Sequence, residues 1–317
     1  MLRMFNTVNG QIERIDRPVD GAWLHLTEPT DVELASVSQE TRIDLADLRA
    51  PLDDEERSRV DAEDDYTMII VDIPTVEERN GRDWYETIPL SIIVTENLII
   101  TVCMQDTPVL HPFMEGTIRG FNTFMKSRFI LQILYRNATM YLRYLRIIDR
   151  ESDRLELKLR HSMQNREILM LLELSKTLVY FTTSLKSNEI VMEKLTTLSR
   201  IKQYPEDEDL LEDVITENKQ AIEMANIYSG VLANMTDAFA SIVSNNLNNV
   251  LRIFTIISIT LSIPTLIFSM YGMNFQSGGM LGMPLTGNRW GFIIVIAVSM
   301  ILSAVVTWFL TRSRLFR

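Results

Sequence analysis

Residues 253–275 read IFTIISITLSIPTLIFSMYGMNF, and this stretch decides the fold. Ile253 to Tyr271 contains no charged residue, and a second uncharged stretch follows from Trp290 to Thr311. A helix needs roughly 20 apolar residues to cross the hydrocarbon core of a bilayer. Each stretch therefore predicts a transmembrane helix. The alternative, a pair of helices buried in a soluble domain, would usually show charge on at least one side.

Basic residues beside the two stretches predict the orientation of the chain. Arg312, Arg314 and Arg317 follow the second stretch, whereas the segment between the stretches has only Arg289. Positively charged flanks stay in the cytoplasm, so we expect the C-terminus there. Two crossings then place the large N-terminal part in the cytoplasm too. A single cysteine, Cys103, suits a reducing compartment. We expect a multi-pass protein of the cell membrane with both termini cytoplasmic.

The charge balance excludes several classes of function. The net charge is −11, and residues 253–317 contain no acid at all, so every one of the 42 acidic residues lies in residues 1–252. Such an acidic part repels nucleic acid and favours small cations. The sequence contains no phosphate-binding loop and no set of catalytic residues at a known spacing. We therefore expect no enzyme, no organic cofactor and no nucleic-acid partner, and any transport through the chain would follow an ion gradient and the membrane potential, without ATP.

The N-terminal part predicts a small mixed α/β domain. Runs rich in Ile, Val and Thr, bounded by turn signals, are typical of strands. Thr30 and Glu33 fit a capping box at the start of a helix, and Asn80-Gly81 predicts a hairpin. The predicted strands are 22–26, 66–73 and 90–103.

The middle of the chain predicts long helices. Helices are expected over Ser127–Leu157 and Met163–Gln203, and an unbroken one from Glu206 to Tyr271, about 100 Å long at 1.5 Å per residue. A break near Gly230 is the alternative. Two rows with a spacing of seven predict helix-on-helix packing along this last helix. The rows are Val214, Ala221, Tyr228, Met235 and Ile242, and Leu211, Asn218, Ala225, Leu232 and Phe239.

Hydroxyl residues recur every three or four positions along the first apolar stretch. At 100° per residue they share one face, about 80° wide, and the opposite face is Ile, Leu and Phe. Two interpretations stay open: hydroxyls that bond their own helix and pack against a neighbour, or hydroxyls that line a water-filled pore. One chain with two spans cannot enclose a pore, so the second interpretation requires an oligomer. The predicted pore-lining residues are Asn248, Leu251, Thr255, Ser258, Ser262, Thr265 and Ser269.

Gly272-Met273-Asn274, between two C-terminal apolar stretches, resembles the signature of the CorA family of divalent-cation channels. The resemblance implies a funnel-shaped homopentamer in which an α+β cytoplasmic domain has a long helical stalk that continues into the first of two transmembrane helices. It implies Mg²⁺ as the cargo and these three residues as the selectivity filter. Magnesium keeps its water tightly, so neutral acceptors such as the Asn274 carbonyl suit a hydrated ion, and Gly272 permits a sharp turn. Family loops often continue Met-Pro-Glu; here the loop reads Met283-Pro284-Leu285 and has no acid.

The resemblance also implies gating by intracellular Mg²⁺ bound between subunits. Asp209 and Asp213, on one face of the stalk, are the candidate regulatory ligands, and Leu251 is the candidate apolar gate. Arg312, Arg314 and Arg317 would form a basic collar at the inner mouth or anchor the chain in lipid.

Two alternatives remain open: a zinc, cobalt or nickel transporter of the same family, and a membrane-tethered scaffold that does not conduct. The expected division of the chain is as follows. An α/β domain covers 1–105, a helical region with the stalk 106–252, the first span 253–271, the external loop 272–289, the second span 290–311 and the tail 312–317.

Overall fold

The computed structural model describes residues 1–79, 81–161, 165–197, 207–273 and 289–312. The chain divides into two compact units, Met1–Thr236 and Asp237–Arg317. The first unit holds a seven-stranded sheet with helices on both faces, and the second holds apolar helix. An α+β domain and apolar C-terminal helices are therefore confirmed.

The sheet of the first unit is mixed. Its strand order is β2-β1-β3-β7-β6-β5-β4, in which only β3 and β7 pair in parallel. The parallel pair lies in the middle and is buried along its whole length, as expected for strands that are covered on both faces. The strands are β1 Leu2–Val8, β2 Gln11–Arg14, β3 Trp23–Thr27, β4 Arg59–Ala62, β5 Tyr66–Arg79, β6 Arg82–Thr95 and β7 Ile99–Cys103.

Seven α-helices accompany the sheet in the part of the chain that the structure describes. Thr30 caps α1 as predicted, because its hydroxyl accepts from the Glu33 amide at 3.3 Å while the Glu33 carboxylate accepts from the Thr30 amide at 2.9 Å. The helices are α1 Asp31–Thr41, α2 Leu45–Arg49, α3 His111–Met114, α4 Lys126–His161, α5 Asn165–Thr197, α6 Glu208–Tyr271 and α7 Gly291–Arg312, with a short 3-10 turn at Ala50–Leu52.

The predicted strand over residues 90–103 is wrong as a single element. Residues 82–95 form β6 and residues 99–103 form β7, with a tight turn between them. The turn is held by Thr95, whose amide donates to the Leu98 carbonyl at 3.0 Å and whose hydroxyl accepts from the Leu98 amide at 2.9 Å. A threonine side chain that bonds the backbone locally competes with the sheet ladder. The hairpin at Asn80-Gly81 is confirmed by the register Arg79↔Arg82.

Two hydrophobic cores cover the two faces of the sheet. The larger core lies under α4, α5 and α6 and includes Phe129, Tyr141 and Phe181, all fully buried. The smaller one lies under α1 and α2 and includes Leu34 and Leu48. The apolar side chains on both faces of the sheet are therefore removed from water, and this burial is the main source of stability for the unit.

Helix α5 and helix α4 also complete the edge of the sheet where β4 stops. Beyond Ile70, none of the described strands pairs with β5 on that side, and the backbone of Asp72 is satisfied by side chains instead. Asn188 accepts from the Asp72 amide at 2.9 Å and donates to the Asp72 carbonyl at 2.7 Å, and Asn137 donates to the same carbonyl at 2.8 Å. This arrangement protects an edge that could otherwise pair with another chain.

Helix α6 runs without interruption through Gly230, so the alternative of a break there is wrong. Its predicted packing rows are largely confirmed: Val214 and Ala221 are buried in the first row, whereas Ile242 is 41% exposed. Within the second row, the Asn218 amide donates to the Leu185 carbonyl of α5 at 3.1 Å in a buried position. The buried positions of the second row are Asn218, Ala225, Leu232 and Phe239.

Candidate ion pathway

The hydroxyl row of α6 lies on an exposed face within the second unit. The hydroxyl positions are all exposed, whereas Ile256, Thr260, Ile263 and Ile267 are half-buried. At 100° per residue, the mean directions of the two sets differ by about 150°. The helix therefore presents its hydroxyl row away from the side that packs. The exposed hydroxyl residues are Thr255, Ser258, Ser262, Thr265 and Ser269.

Four hydroxyls of this row donate to the carbonyl four residues earlier in the same helix. The distances are 2.8 Å for Thr255, 2.9 Å for Ser258, 2.7 Å for Ser262 and 2.9 Å for Thr265. These are the local bonds of the first interpretation. A hydroxyl that donates to its own helix still keeps acceptor lone pairs, so each oxygen can accept from the water of a hydrated cation, and the local bonds leave the pore interpretation open.

The opposite face of α6 packs against α7. The Thr260 and Thr307 hydroxyl oxygens lie 2.7 Å apart, and Ser299 and Ser303 of α7 are buried. Small polar residues at such a seam let two helix backbones approach closely in an apolar environment. Thr260 and the α7 hydroxyls were not among the predicted site residues. The spacing of four along Ser299, Ser303 and Thr307 was the signal for them.

A shallow cavity follows the hydroxyl row toward the end of α6. Its volume is about 440 Å³, and it is lined by Ser262, Thr265 and Ser269 together with Met270 and Met273. Predicted pore residues and one predicted filter residue therefore line the same concave surface. The described lining residues offer hydroxyl and thioether groups, and none of them is charged.

Helix α6 ends at the predicted filter. The Gly272 amide donates to the Phe268 carbonyl at 2.9 Å, and the Met273 amide donates to the Met270 carbonyl at 3.3 Å. Gly272 does not adopt the left-handed conformation, and a Cβ there would lie 3.5 Å from the Phe268 carbonyl oxygen, an ordinary contact. Within one chain, Gly272 therefore does not make the sharp turn that we expected, and its backbone conformation does not require a glycine. Asn274 lies outside the described residues.

At the other end of the row, Asn248 and Leu251 are exposed, as is every other residue from 240 to 251. This segment of α6 begins directly after Phe239, which is buried. Arg312 places its guanidinium 5.3 Å from the Trp308 ring centre, a cation–π contact at the end of α7. Arg314 and Arg317 lie outside the described residues.

The candidate regulatory acids do not form a metal site within the described part of one chain. Asp209 and Asp213 are both exposed, and they lie in the first two turns of α6. Among the residues that the structure describes, no group of three or more His, Cys, Asp or Glu residues is placed to hold a metal ion. A site formed by two subunits stays a prediction.

By length and composition, three of the described helices could cross a membrane: α5 over Arg166–Thr197, α6 over Glu208–Tyr271 and α7 over Gly291–Arg312. A third of the apolar window of α5 is buried within the protein, against none of the window of α6. Leu178, Phe181 and Leu185 of α5 belong to the larger core. An α/β domain, a helix of 64 residues that becomes apolar, and a hydroxyl face on that helix define a membrane protein with a candidate path for a small polar solute.

Comparison with known proteins identifies the family. The chain belongs to the CorA-like Mg²⁺ transporter family, whose model matches residues 20–312. A cobalt/magnesium transport protein CorA from Methanocaldococcus jannaschii is 28% identical over 304 residues, which cover 92% of this chain and 90% of the relative. The magnesium transport protein CorA of Helicobacter pylori is 23% identical, with 89% and 88% covered.

A solved structure agrees along the whole chain. The complete structure of the CorA magnesium transporter from Methanocaldococcus jannaschii has a TM-score of 0.83 and 26% sequence identity, and it covers 99% of this chain and 98% of that one. The expected fold, an α/β domain with a long helix that continues into an apolar helix, is thereby confirmed. Metal-ion transport across a membrane follows from the family.

Proposed function

We propose that this protein is a passive channel for divalent cations and that its main cargo is Mg²⁺ taken up into the cell. The observation that carries the proposal is the exposed hydroxyl row of α6, which lies about 150° from the side that packs against α7 at 100° per residue. A divalent ion gains about 4.6 kcal/mol per 100 mV of membrane potential, twice the value for a single charge. Uptake therefore needs no chemical energy source.

In the proposed topology, α6 and α7 each cross the membrane once and both termini lie in the cytoplasm. Helix α5, although apolar, stays with the cytoplasmic domain because its apolar residues are needed in that core. Several copies of α6, five in a homopentamer, would surround the pore with their hydroxyl rows. Helix α7 would lie outside them and present its exposed apolar residues to lipid and neighbours.

The proposed filter is the ring of Gly272, Met273 and Asn274 at the outer end of the pore. A neutral ring binds a hydrated Mg²⁺ through its water molecules and releases it again, whereas a carboxylate cage would hold the ion. The neutral, hydroxyl-lined cavity below it continues the same chemistry. Asn274 would supply its amide oxygen.

The proposed gate is a ring of Leu251 between rings of Asn248 and Thr255. A narrow apolar ring can stop conduction by losing its water. Asp209 and Asp213 are the proposed ligands for intracellular Mg²⁺ between subunits, since exposed acids on neighbouring chains repel unless a cation bridges them. Mg²⁺ binding would then favour the closed state. Arg312, Arg314 and Arg317 are proposed to form a basic collar at the inner mouth.

Cobalt is the second candidate cargo. The relative from Methanocaldococcus jannaschii carries the name cobalt/magnesium transport protein, and the hydroxyls and thioethers of the described cavity lining offer no group that would reject Co²⁺. Both ions are therefore to be measured.

The test is ion uptake into liposomes that contain the purified protein and a dye for Mg²⁺ or Co²⁺. We expect uptake by the wild-type protein and its loss in Asn274→Ala. Ser262→Leu, which adds volume on the hydroxyl row, should also block uptake. Ala297→Leu adds the same kind of volume to the exposed side of α7 and should conduct normally. Absence of uptake by intact wild-type oligomers with either ion would favour the non-conducting scaffold.

A further inference from the structure

One hydrogen bond joins the two apolar helices of the second unit. The Thr260 hydroxyl lies 2.7 Å from both the Thr307 hydroxyl and the Ile256 carbonyl, and the Thr307 hydroxyl lies 2.8 Å from the Ser303 carbonyl. The two hydroxyls have only two protons, so at any moment one hydroxyl donates across to the other helix while the other donates to its own helix. The bonds to the carbonyls are possible in either helix alone. The bond between the hydroxyls exists in one register only.

The residues around this hydrogen bond explain why it affects how the two helices pack. Ser303 and Ser299 continue the seam along α7 and are 6% and 0% exposed. Ser303 and Ser299 lie about one and two turns before Thr307 on the same face of α7, since the three residues are spaced by four. Apolar residues cover the exposed side of α7 and the exposed surface of α6 on both sides of the hydroxyl row. Apolar side chains pack as well against lipid as against each other, whereas a hydroxyl pair does not have an equivalent partner in lipid.

The pair therefore selects the rotation of α6 about its own axis. Thr260 belongs to the half-buried side, and the hydroxyl row faces about 150° away at 100° per residue. A rotation of α6 large enough to separate Thr260 from Thr307 would turn Ser262 and Thr265 away from their present direction. We propose that the Thr260–Thr307 hydroxyl pair is a positioning contact that holds the hydroxyl row toward the pore. This inference rests on the proposed function for the meaning of that direction.

The first experiment tests whether the two residues meet. Cys103 is the only cysteine in the sequence. It is fully buried, and burial raises the pKa of its thiol to about 11. Cys103→Ser removes this thiol, so that every thiol in the later variants is an introduced one. In that background, Thr260→Cys with Thr307→Cys should form an intrachain disulfide under mild oxidation in membranes. The control pair Ser262→Cys with Thr307→Cys should not, because Ser262 lies on the other face. A control pair that cross-links as fast as the first would overturn the proposal.

The second experiment tests whether the pair sets the rotation. One single-cysteine variant replaces Ser262 on the hydroxyl row, and another replaces Ile267 on the packed side. The rates at which the two cysteines react with a small charged thiol reagent are compared. We expect Ser262→Cys to react faster in the parent. Adding Thr260→Val, which keeps the shape and removes the hydroxyl, should reduce the rate ratio by about threefold to tenfold, the range that corresponds to 0.6 to 1.4 kcal/mol for one such bond.

Rescue separates positioning from general damage to the fold. Thr260→Ser keeps the hydroxyl and should restore the rate ratio, although it removes a methyl group. Thr307→Val removes the partner hydroxyl from a helix outside the proposed pore and should act like Thr260→Val. An unchanged ratio in both valine variants would overturn the proposal.

The thiol measurements do not depend on ion uptake. A wild-type protein that shows the cross-link and the rate contrast but takes up no ion would overturn the proposed function and leave the contact between the helices standing. A protein that takes up Mg²⁺ but shows neither effect would overturn the positioning role alone.

Discussion

A buried histidine should make the first unit sensitive to mild acid. His25 is fully buried on β3. Its Nδ1 lies 2.9 Å from the Thr101 hydroxyl and its Nε2 lies 2.8 Å from the Thr27 hydroxyl. Burial lowers the pKa of His25 from 6.5 to about 3, and the nearby charge of Arg3 acts in the same direction, while Asp106 opposes it. The folded protein therefore holds this imidazole neutral.

The sign and size of the effect follow from the two pKa values. Between pH 6.5 and about 3 the unfolded chain binds a proton at His25 and the folded chain does not. The free energy of unfolding is therefore at its full value above pH 6.5 and falls as the pH drops through this window. At about 1.36 kcal/mol per unit, the loss contributed by His25 between pH 7.5 and pH 5 is about 2 kcal/mol.

The measurement is urea unfolding of the full-length protein in detergent at pH 7.5 and at pH 5, followed by tryptophan fluorescence. Trp23 lies beside His25, with ring centres 5.6 Å apart. We expect His25→Gln to lower stability at pH 7.5 but to lose about 2 kcal/mol less than the wild type on acidification. His111→Gln, which changes an exposed histidine bound to Asp106, should keep the wild-type loss because His25 is intact. Equal losses in His25→Gln and the wild type would refute the reasoning.

Three further outcomes are expected. Phe181→Ala removes a fully buried ring that packs edge-on against Tyr141 at 5.0 Å, and it should lower the free energy of unfolding by about 3 to 5 kcal/mol. A loss below about 1 kcal/mol in urea unfolding would show instead that neighbouring side chains fill the cavity. Asp207→Asn should cost about 3 to 5 kcal/mol, since Asp207 is 4% exposed and accepts from Arg128 at 2.7 Å; Asp207→Asn with Arg128→Met should recover part of the loss. Gly272→Ala should elute like the wild type in size-exclusion chromatography, because the added Cβ makes only ordinary contacts within the chain, and a changed elution volume would contradict this.

The N-terminal sheet was predicted only in part. Strands rich in Ile and Val were found because their residues have strong strand preferences and clear turns at their ends. The boundary between β6 and β7 was missed because Thr95 ends β6 with local hydrogen bonds inside an apolar run. The first hairpin, which turns at Asn9-Gly10 with φ of 52° and 80°, was not predicted because its strands are only partly buried.

The sequence by itself determined that the two C-terminal helices are apolar and that the hydroxyl residues of α6 share one face, and it favoured a continuous α6. These are properties of one helix, so the periodicity of side chains along the chain is sufficient to find them. The family signature at Gly272 and Met273 was equally visible, because it is a run of neighbouring residues.

Only the tertiary structure decided which residues meet across elements. The contact of Thr260 with Thr307 depends on how α7 packs, and the amide groups of Asn137 and Asn188 reach the Asp72 backbone only because β4 ends early. Such contacts join residues far apart in the chain and depend on packing geometry, which the periodicity of a single element does not contain.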